Sequence, residues 1–216
     1  MALLTANGEG VTDGMLSLVS AGRSVAELYL GSFVEESRIQ VGQPVELSWQ
    51  DGTTDQMFCT RAGPDQGRWR ILLLGGKGGL SSSVRPKFYA GIAASSVVSD
   101  LISEVGESPG TISVPGAVQQ YVRQAGPGYE ALETFLTLFP DLSWRIGRDG
   151  LTNIGPLAWP DDTRSIEIVS QSPGESILTL RNLPGLDAGV TLPGFGKVDR
   201  VVHMVGTTLR TEVYIK

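Results

Sequence analysis

The stretch that decides the fold is Val45-Glu46-Leu47-Ser48-Trp49, followed by Asp51-Gly52 and by Gln56-Met57-Phe58-Cys59-Thr60-Arg61. Apolar and polar residues alternate in both runs, which is the pattern of strands with one buried face. Asp-Gly suits the connection, because both central residues of the favoured tight hairpin turn need positive φ. The stretch therefore predicts an antiparallel β-hairpin.

The residues around this hairpin read as further short strands. Three runs with the same character are Met15–Val19, Val25–Leu30 and Arg68–Leu74. Together with the hairpin they indicate an antiparallel barrel or sandwich over residues 14 to about 88. We assign residues 1–88 to a first barrel-like domain.

The hydrophobic period then changes to about 3.6, which predicts helices between residues 92 and 139. The first helix has Ser95 or Ser96 as N-cap and Gly106 just beyond its end, and Pro140 closes the last one. The three predicted helices are Ile92–Val105, Ala117–Gln124 and Tyr129–Phe139.

Strand patterns return after Pro140 and continue to the C-terminus. They cover Ser143–Ile146, Leu151–Ile154, Ser165–Ser170, Ser176–Arg181, Val198–Val205 and Leu209–Ile215. The fold class is therefore α+β and mostly β. Residues 89–216 are assigned to the helical insertion (about 92–139) and a second barrel-like domain, and we leave open whether the C-terminal strands return to the first domain.

Composition and charge exclude several classes of protein. The hydrophobic content of 41% is that of a globular chain, and 28 Gly with 12 Pro imply many turns. The net charge is −6 and the 17 basic residues are scattered, which disfavours tight nucleic-acid binding. The longest apolar run, Ile71–Leu74, is too short to insert in a membrane. The single cysteine, Cys59, cannot form an internal disulfide.

A glycine-rich loop, Gly75-Gly76-Lys77-Gly78-Gly79, follows a hydrophobic run and invites comparison with a phosphate-binding loop. That motif needs a glycine five positions before the Gly-Lys pair and a Ser or Thr after it. Those positions hold Ile71 and Gly78, so we expect no nucleotide and no cofactor. We interpret residues Gly75, Gly76, Lys77, Gly78 and Gly79 as a hinge or subunit-contact loop.

Catalytic and metal-binding patterns are weak throughout. Gly106-Glu107-Ser108-Pro109-Gly110 matches a nucleophile-elbow string, but it follows a helix instead of preceding one, and Pro109 lacks an N–H. The base would have to be His203, which we expect to be a hydrogen-bonded histidine within a strand. One His and one Cys cannot supply a zinc site. The carboxylate pairs Glu35-Glu36 and Asp161-Asp162 are interpreted as solvated turns, so no catalytic or metal-binding residue is assigned.

Three segments, taken in order, resemble the baseplate hub proteins of tailed bacteriophages, the late-control and Mu-type hub family related to the hub part of type VI spike proteins. The first comprises Ser24–Leu30 with Gly42–Leu47, which are similar to the opening barrel strands of that family. The second runs from the glycine loop through Lys87-Phe88-Tyr89 into the helix Ser95–Gly106. The third joins Leu142–Ile146 and Asp149-Gly150-Leu151 to Val198–Val205 and Leu209–Val213.

The resemblance implies two small barrel-like tube domains with an intervening helical region and no catalytic residues. It implies a homotrimeric structural protein, assembled in the host cytoplasm into the tail baseplate of the virion, that joins the sixfold tail tube to the threefold central spike. Expected partners are the tail tube or distal tail protein, the spike, the tape measure protein and other baseplate proteins. DNA would pass through its channel without sequence-specific contacts.

Two other functions stay open from the sequence. A receptor- or carbohydrate-binding tail module would expose tryptophans on a concave face, and the candidates are Trp49, Trp69, Trp144 and Trp159. A cell-wall hydrolase would need a pocket that holds two carboxylates at a fixed separation.

Overall fold

The computed structural model describes residues 2–31 and 37–216 of the chain. Within these residues β-strands dominate, and the predicted hairpin is confirmed. Its turn is longer than the tight one expected, because Gly52 has φ 88° but Asp51 does not have positive φ. The strands of the first part are β1 Leu4–Ala6, β2 Glu9–Val19, β3 Val25–Leu30, β4 Pro44–Trp49, β5 Thr54–Asp65 and β6 Arg68–Gly75.

These six strands close into a barrel in the order β1-β4-β5-β6-β3-β2, because β1 pairs with both β2 and β4. Residues alternate across its wall: Val45, Leu47 and Trp49 are buried while Glu46 is exposed. At Gly14 the strands approach so closely that a Cβ would lie 2.3 Å from the Glu27 carbonyl oxygen. Closure leaves this barrel without a free strand edge.

The middle of the chain forms a separate structural unit, which we call the inserted unit. It buries a core of its own, in which the apolar face of the first helix packs against that of the second. After the 3-10 helix Gly79–Ser81, its elements are β7 Ser83–Val84, β8 Lys87–Ala93, α1 Ala94–Val105, β9 Pro109–Ile112, β10 Ala117–Arg123, β11 Gly126–Pro127, α2 Gly128–Leu136, β12 Ser143–Ile146 and β13 Thr152–Gly155.

The last part of the chain extends the sheet of the barrel. Its strands are β14 Ile168–Ser172, β15 Ile177–Arg181, β16 Thr191–Leu192, β17 Gly196–Val205 and β18 Arg210–Ile215. β17 pairs antiparallel with β2, from Arg200 opposite Val19 to Val205 opposite Gly14. The sheet then continues through β18 and β15 to β14. The inward residues of these strands join those of the barrel in one hydrophobic core.

One predicted helix is wrong. Residues Ala117–Arg123 form β10, which pairs with β8 along its length, placing Tyr121 opposite Tyr89 and Val122 opposite Phe88. The β-branched and aromatic residues that suggested one helix face suit a strand better. The segment Lys87–Ala93, read as the approach to the first helix, supplies the partner strand.

The other two helices are confirmed with shifted ends. α1 starts after Ala93 and not at a serine cap, because Ala93 takes the N-cap position without a side-chain hydrogen bond. Gly106 ends α1 in the left-handed conformation at φ 74°, as expected for a C-terminal glycine. The described residues therefore form a mostly β structure with a closed six-strand barrel and two α-helices.

Candidate functional site

The glycine loop lies where β6 leaves the barrel and enters the inserted unit. Gly76 and Gly78 have φ of 83° and 77°, values that favour glycine. The Lys77 and Leu80 amides donate hydrogen bonds of 3.0 and 3.3 Å to the two carboxylate oxygens of Glu107. Glu107 is 5% exposed.

In this arrangement the backbone amides of the glycine loop already bind an anion, the Glu107 carboxylate. Backbone amides at a glycine-rich turn form an anion site, and here a carboxylate of the same chain occupies it. The packing is also tight, since a Cβ at Gly79 would lie 2.1 Å from the Val105 carbonyl oxygen. The side chain of Lys77 is exposed and forms no ion pair with the residues that the structure describes.

A buried ion pair joins the barrel to the inserted unit. Arg148, in the turn between β12 and β13, donates Nε and Nη2 to the Asp55 carboxylate at 2.6 and 2.8 Å. Trp49 Nε1 donates to the same carboxylate at 2.7 Å, and Arg148 Nη1 donates to the Pro184 carbonyl at 2.9 Å. The side chains of Asp55 and Arg148 are 3% and 13% exposed. One guanidinium therefore ties three distant segments together.

Backbone hydrogen bonds reinforce this contact. The Gly22 amide donates to the Trp144 carbonyl at 2.7 Å, and the Ile146 amide donates to the Gly22 carbonyl at 2.9 Å. The Gln56 amide donates to the Arg148 carbonyl at 2.7 Å. We call the region formed by these bonds and the Arg148–Asp55 pair the junction.

Two more arginines hold the segment that follows the inserted unit. Arg145 pairs with Asp187 and donates Nη1 to the Ala188 carbonyl at 2.7 Å. Arg164 pairs with Asp162, whose side chain is 6% exposed. The interpretation of Asp161-Asp162 as a solvated turn is therefore wrong for Asp162, because its carboxylate is buried against Arg164. Glu35-Glu36 lies outside the described residues.

His203 is buried within β17, as expected for a hydrogen-bonded histidine in a strand. Its Nε2–H donates to the Leu186 carbonyl at 3.3 Å, so Nδ1 accepts from the Thr211 hydroxyl at 3.1 Å. Burial, and then the charge of Arg148, lower the pKa of His203 to about 3. Both ring nitrogens are engaged, so the imidazole is not free to act as a base for Ser108.

A cleft of about 810 Å³ lies beside the junction, lined by Trp144, Arg145, Asn153 and Asp187 among others. Both arginines that line it, Arg145 and Arg148, are already paired, and Trp144 is 6% exposed. Trp49 is buried as well, at 3%, which counts against an aromatic sugar-binding face for these two residues. Trp69 and Trp159 are partly exposed.

The described residues contain no cluster of three His, Cys, Asp or Glu side chains arranged to hold a metal ion. In the same residues no helix has the length and hydrophobicity to cross a membrane. The groups at the junction hold separate segments of the chain together. Its charges are paired, its backbone amides are hydrogen-bonded and its glycines pack closely.

Sequence reasoning missed the residues that matter most at the junction. Asp55 and Arg148 are 93 positions apart, and neither belongs to a motif. Glu107 belongs to the nucleophile-elbow string, which does not predict its hydrogen bonds to the glycine loop. One usable signal was its place next to Gly106, because the residue after a helix-ending glycine often turns back toward the preceding structure.

The sequence matches no protein-family model and no curated protein. The fold, however, is similar to those of solved tail proteins. A 43 kDa tail protein of prophage MuSo2 from Shewanella oneidensis has a TM-score of 0.70 at 10% identity, over 97% of this chain and 95% of that one. A tail protein from Neisseria meningitidis MC58 has a TM-score of 0.65 at 11% identity, over 98% and 95%.

A third similar structure belongs to a secretion system. The E. coli c3393 protein is described as a component of the type VI secretion system with structural similarity to the T4 bacteriophage tail proteins gp27 and gp5. It has a TM-score of 0.69 at 11% identity, over 97% of this chain and 75% of that one. The chain thus shares the fold of two tail proteins and of a component of the type VI secretion system.

Proposed function

We propose that this chain is a structural protein of a bacteriophage tail, and that it serves as a homotrimeric hub in the baseplate. The observation that carries the proposal is the similarity in fold to two tail proteins over nearly the whole length of both partners. The three-way attachment at the junction supports a mechanical role, because it fixes one arrangement of barrel, inserted unit and C-terminal strands.

The proposed hub has two tube domains in each copy. The closed barrel is one, and the C-terminal strands β14–β18 are the other, joined to it through the β17–β2 pairing. Three copies would then present six such domains to a sixfold tail tube. The inserted unit is not part of either tube domain and is free to contact other baseplate proteins or the central spike.

The proposed channel passes DNA and, before it, the tape measure protein. Three copies carry a net charge of −18, three times −6. A wall of that sign repels phosphates and lets DNA slide without sticking. The role requires no catalysis, and the only histidine is engaged within the core.

Native mass spectrometry of the purified chain, followed by electron microscopy, tests this proposal. We expect a particle of about 69 kDa, three times the 23.0 kDa chain, with a central opening. A particle of two or four copies would contradict the hub assignment. So would a chain that stays monomeric at every concentration and in isolated tail tips.

A further inference from the structure

A groove of about 590 Å³ lies among the C-terminal strands and shares no lining residue with the cleft beside the junction. It is formed by residues of β14, β15 and β18, by the turn between β17 and β18, and by Leu3. Its apolar wall comprises Leu3, Val169, Leu180 and Leu209. Leu180 and Leu209 are buried, whereas Val169 is 56% exposed. An apolar ligand that fills the groove therefore removes open apolar surface from water.

The rim of this groove is basic. Arg181 and Arg210 both line it, and they lie directly opposite each other in the β15–β18 pairing. Their side chains are 66% and 56% exposed. Like charges directly opposite each other destabilise a pair of strands, and an anion between the two guanidinium groups offsets that repulsion.

The acidic neighbours of the two arginines leave them accessible. Arg181 pairs with Glu167 at 3.0 Å and Arg210 with Glu212 at 3.4 Å. Both arginines are largely exposed, so water screens these pairs, unlike the buried pair at the junction. Within the described part of the chain, the residues that line the groove include the two arginines and no carboxylate. The groove itself is therefore positive and apolar.

The remaining rim residues are neutral hydrogen-bonding groups. Asn182, Thr207 and Thr208 line the groove and are exposed. An amide and two hydroxyls both donate and accept hydrogen bonds, so they match the alternating N–H and C=O groups of a peptide backbone. A fatty acid offers only its carboxylate to such a rim. The rim therefore favours a peptide over a lipid of the same charge.

We propose that this groove binds the C-terminal end of an apolar peptide. The terminal carboxylate lies between Arg181 and Arg210, whose planar guanidinium groups suit a carboxylate. The side chains that precede it pack against Val169 and Leu209. This binding site goes beyond the proposed hub function and does not require a trimer.

Titration calorimetry with a short peptide tests the site. The probe is N-acetylated Leu-Val-Leu with a free C-terminal carboxylate, and the same peptide with a C-terminal amide is the matched ligand. We expect a Kd below about 1 mM for the acid and binding at least about tenfold weaker for the amide. Added salt should weaken the acid and leave the amide unchanged.

Two kinds of variant separate charge from apolar contact. Arg181→Gln/Arg210→Gln should weaken the acid roughly tenfold to a hundredfold and leave the amide unchanged. The matched control, Arg61→Gln/Arg85→Gln, removes two exposed arginines outside the groove and should change neither. Val169→Ser, on an exposed side chain, should weaken both ligands by a similar factor. Circular dichroism establishes that each variant is folded.

Each remaining outcome counts against the proposal. Equal affinity for acid and amide overturns the carboxylate as the recognised group, and equal losses in the two arginine variants overturn its placement between Arg181 and Arg210. Octanoate bound more tightly than the acid peptide overturns the peptide as occupant. No saturable binding up to about 5 mM overturns the site itself. The mass of the particle tests the hub independently of all these results.

Discussion

Two arginines with little solvent exposure, Arg148 and Arg123, have different structural roles. Arg148 bridges segments 93 positions apart, and its partner Asp55 is itself 3% exposed. Arg123 is 1% exposed, but its partners Asp100 and Glu104 lie within the same inserted unit and are 33% and 29% exposed. One arginine therefore connects units, while the other stiffens a single unit.

The carboxylates show the same difference. The Arg85 backbone amide, with Arg123, lowers the pKa of Glu104. Burial alone would raise the pKa of Asp100, but hydrogen bonds from Lys87 and Tyr89 outweigh it and lower that pKa. These groups keep contact with water, so removing Arg123 leaves them partly solvated. Removing Arg148 would strand a charge in the protein interior.

The largest expected effect is that of Arg148→Met. Breaking a buried pair by removing one partner leaves an uncompensated charge, and we expect a loss of about 3–5 kcal/mol in the free energy of unfolding. Urea denaturation measures it. The control is Arg68→Met, whose pair with Asp13 is exposed and should be worth less than about 1 kcal/mol.

A second measurement separates a connecting role from a local one. In Arg148→Met, amide hydrogen exchange should rise on both sides of the junction, in β4–β5 and in β12–β13. Adding Asp55→Asn should recover part of the lost stability, because the stranded charge is then gone. Exchange that rises in one unit only would contradict the assignment of Arg148 as the connecting residue.

The next effect is the pH dependence set by His203, which packs edge-on against Trp49 beside Asp55. Its pKa falls from 6.5 in the unfolded chain to about 3 in the fold, so the unfolded state binds the proton more readily. Stability is therefore full above about pH 6.5 and falls by about 1.4 kcal/mol per pH unit below it.

Urea denaturation from pH 7 to pH 4 should show about 3 kcal/mol lost through this group. Replacing the residue with glutamine removes the titrating group and should flatten that part of the profile. Carboxylates also titrate near pH 4, so the comparison is the difference between the two proteins. Equal slopes between pH 6.5 and pH 5 would contradict the neutral buried state of His203.

A smaller effect is expected for Arg123→Met. We expect a loss of about 1–3 kcal/mol, since the Arg85 carbonyl and the two carboxylates lose a charged donor but two of them still reach water. Faster amide exchange should be confined to β8, β10 and α1. Exchange that also rises in the barrel would show that Arg123 couples the units as Arg148 does.

The sequence predicts local elements well and this long-range difference poorly. Val25–Leu30 and Ser143–Ile146 are strands with the expected bounds, because alternation and turn residues are local signals. The segment Ala117–Arg123 is a strand because β8 supplies its hydrogen bonds, and that partner is set by tertiary structure. The Arg148–Asp55 pair and the β17–β2 pairing also join residues that are far apart in the sequence. Neither the number of charges nor the spacing of residues predicts these contacts.

The smallest expected change in stability is that of Lys77→Ala. This substitution separates contacts that stabilise the fold of one copy from contacts that join two copies. The Lys77 amide holds Glu107, whereas its side chain is exposed. The substitution keeps the amide, so the free energy of unfolding should change by less than about 0.5 kcal/mol. Glu107→Ala, by contrast, leaves the Lys77 and Leu80 amides without their acceptor and should cost about 1–3 kcal/mol.

If the exposed ammonium serves the contact between copies, Lys77→Ala weakens the oligomer while the melting of the monomer stays the same. Light scattering over a dilution series separates these two quantities. A loss of stability equal to that of Glu107→Ala would show that the Lys77 side chain stabilises the fold of a single copy. An unchanged oligomer would remove the Lys77 side chain from the contact between copies.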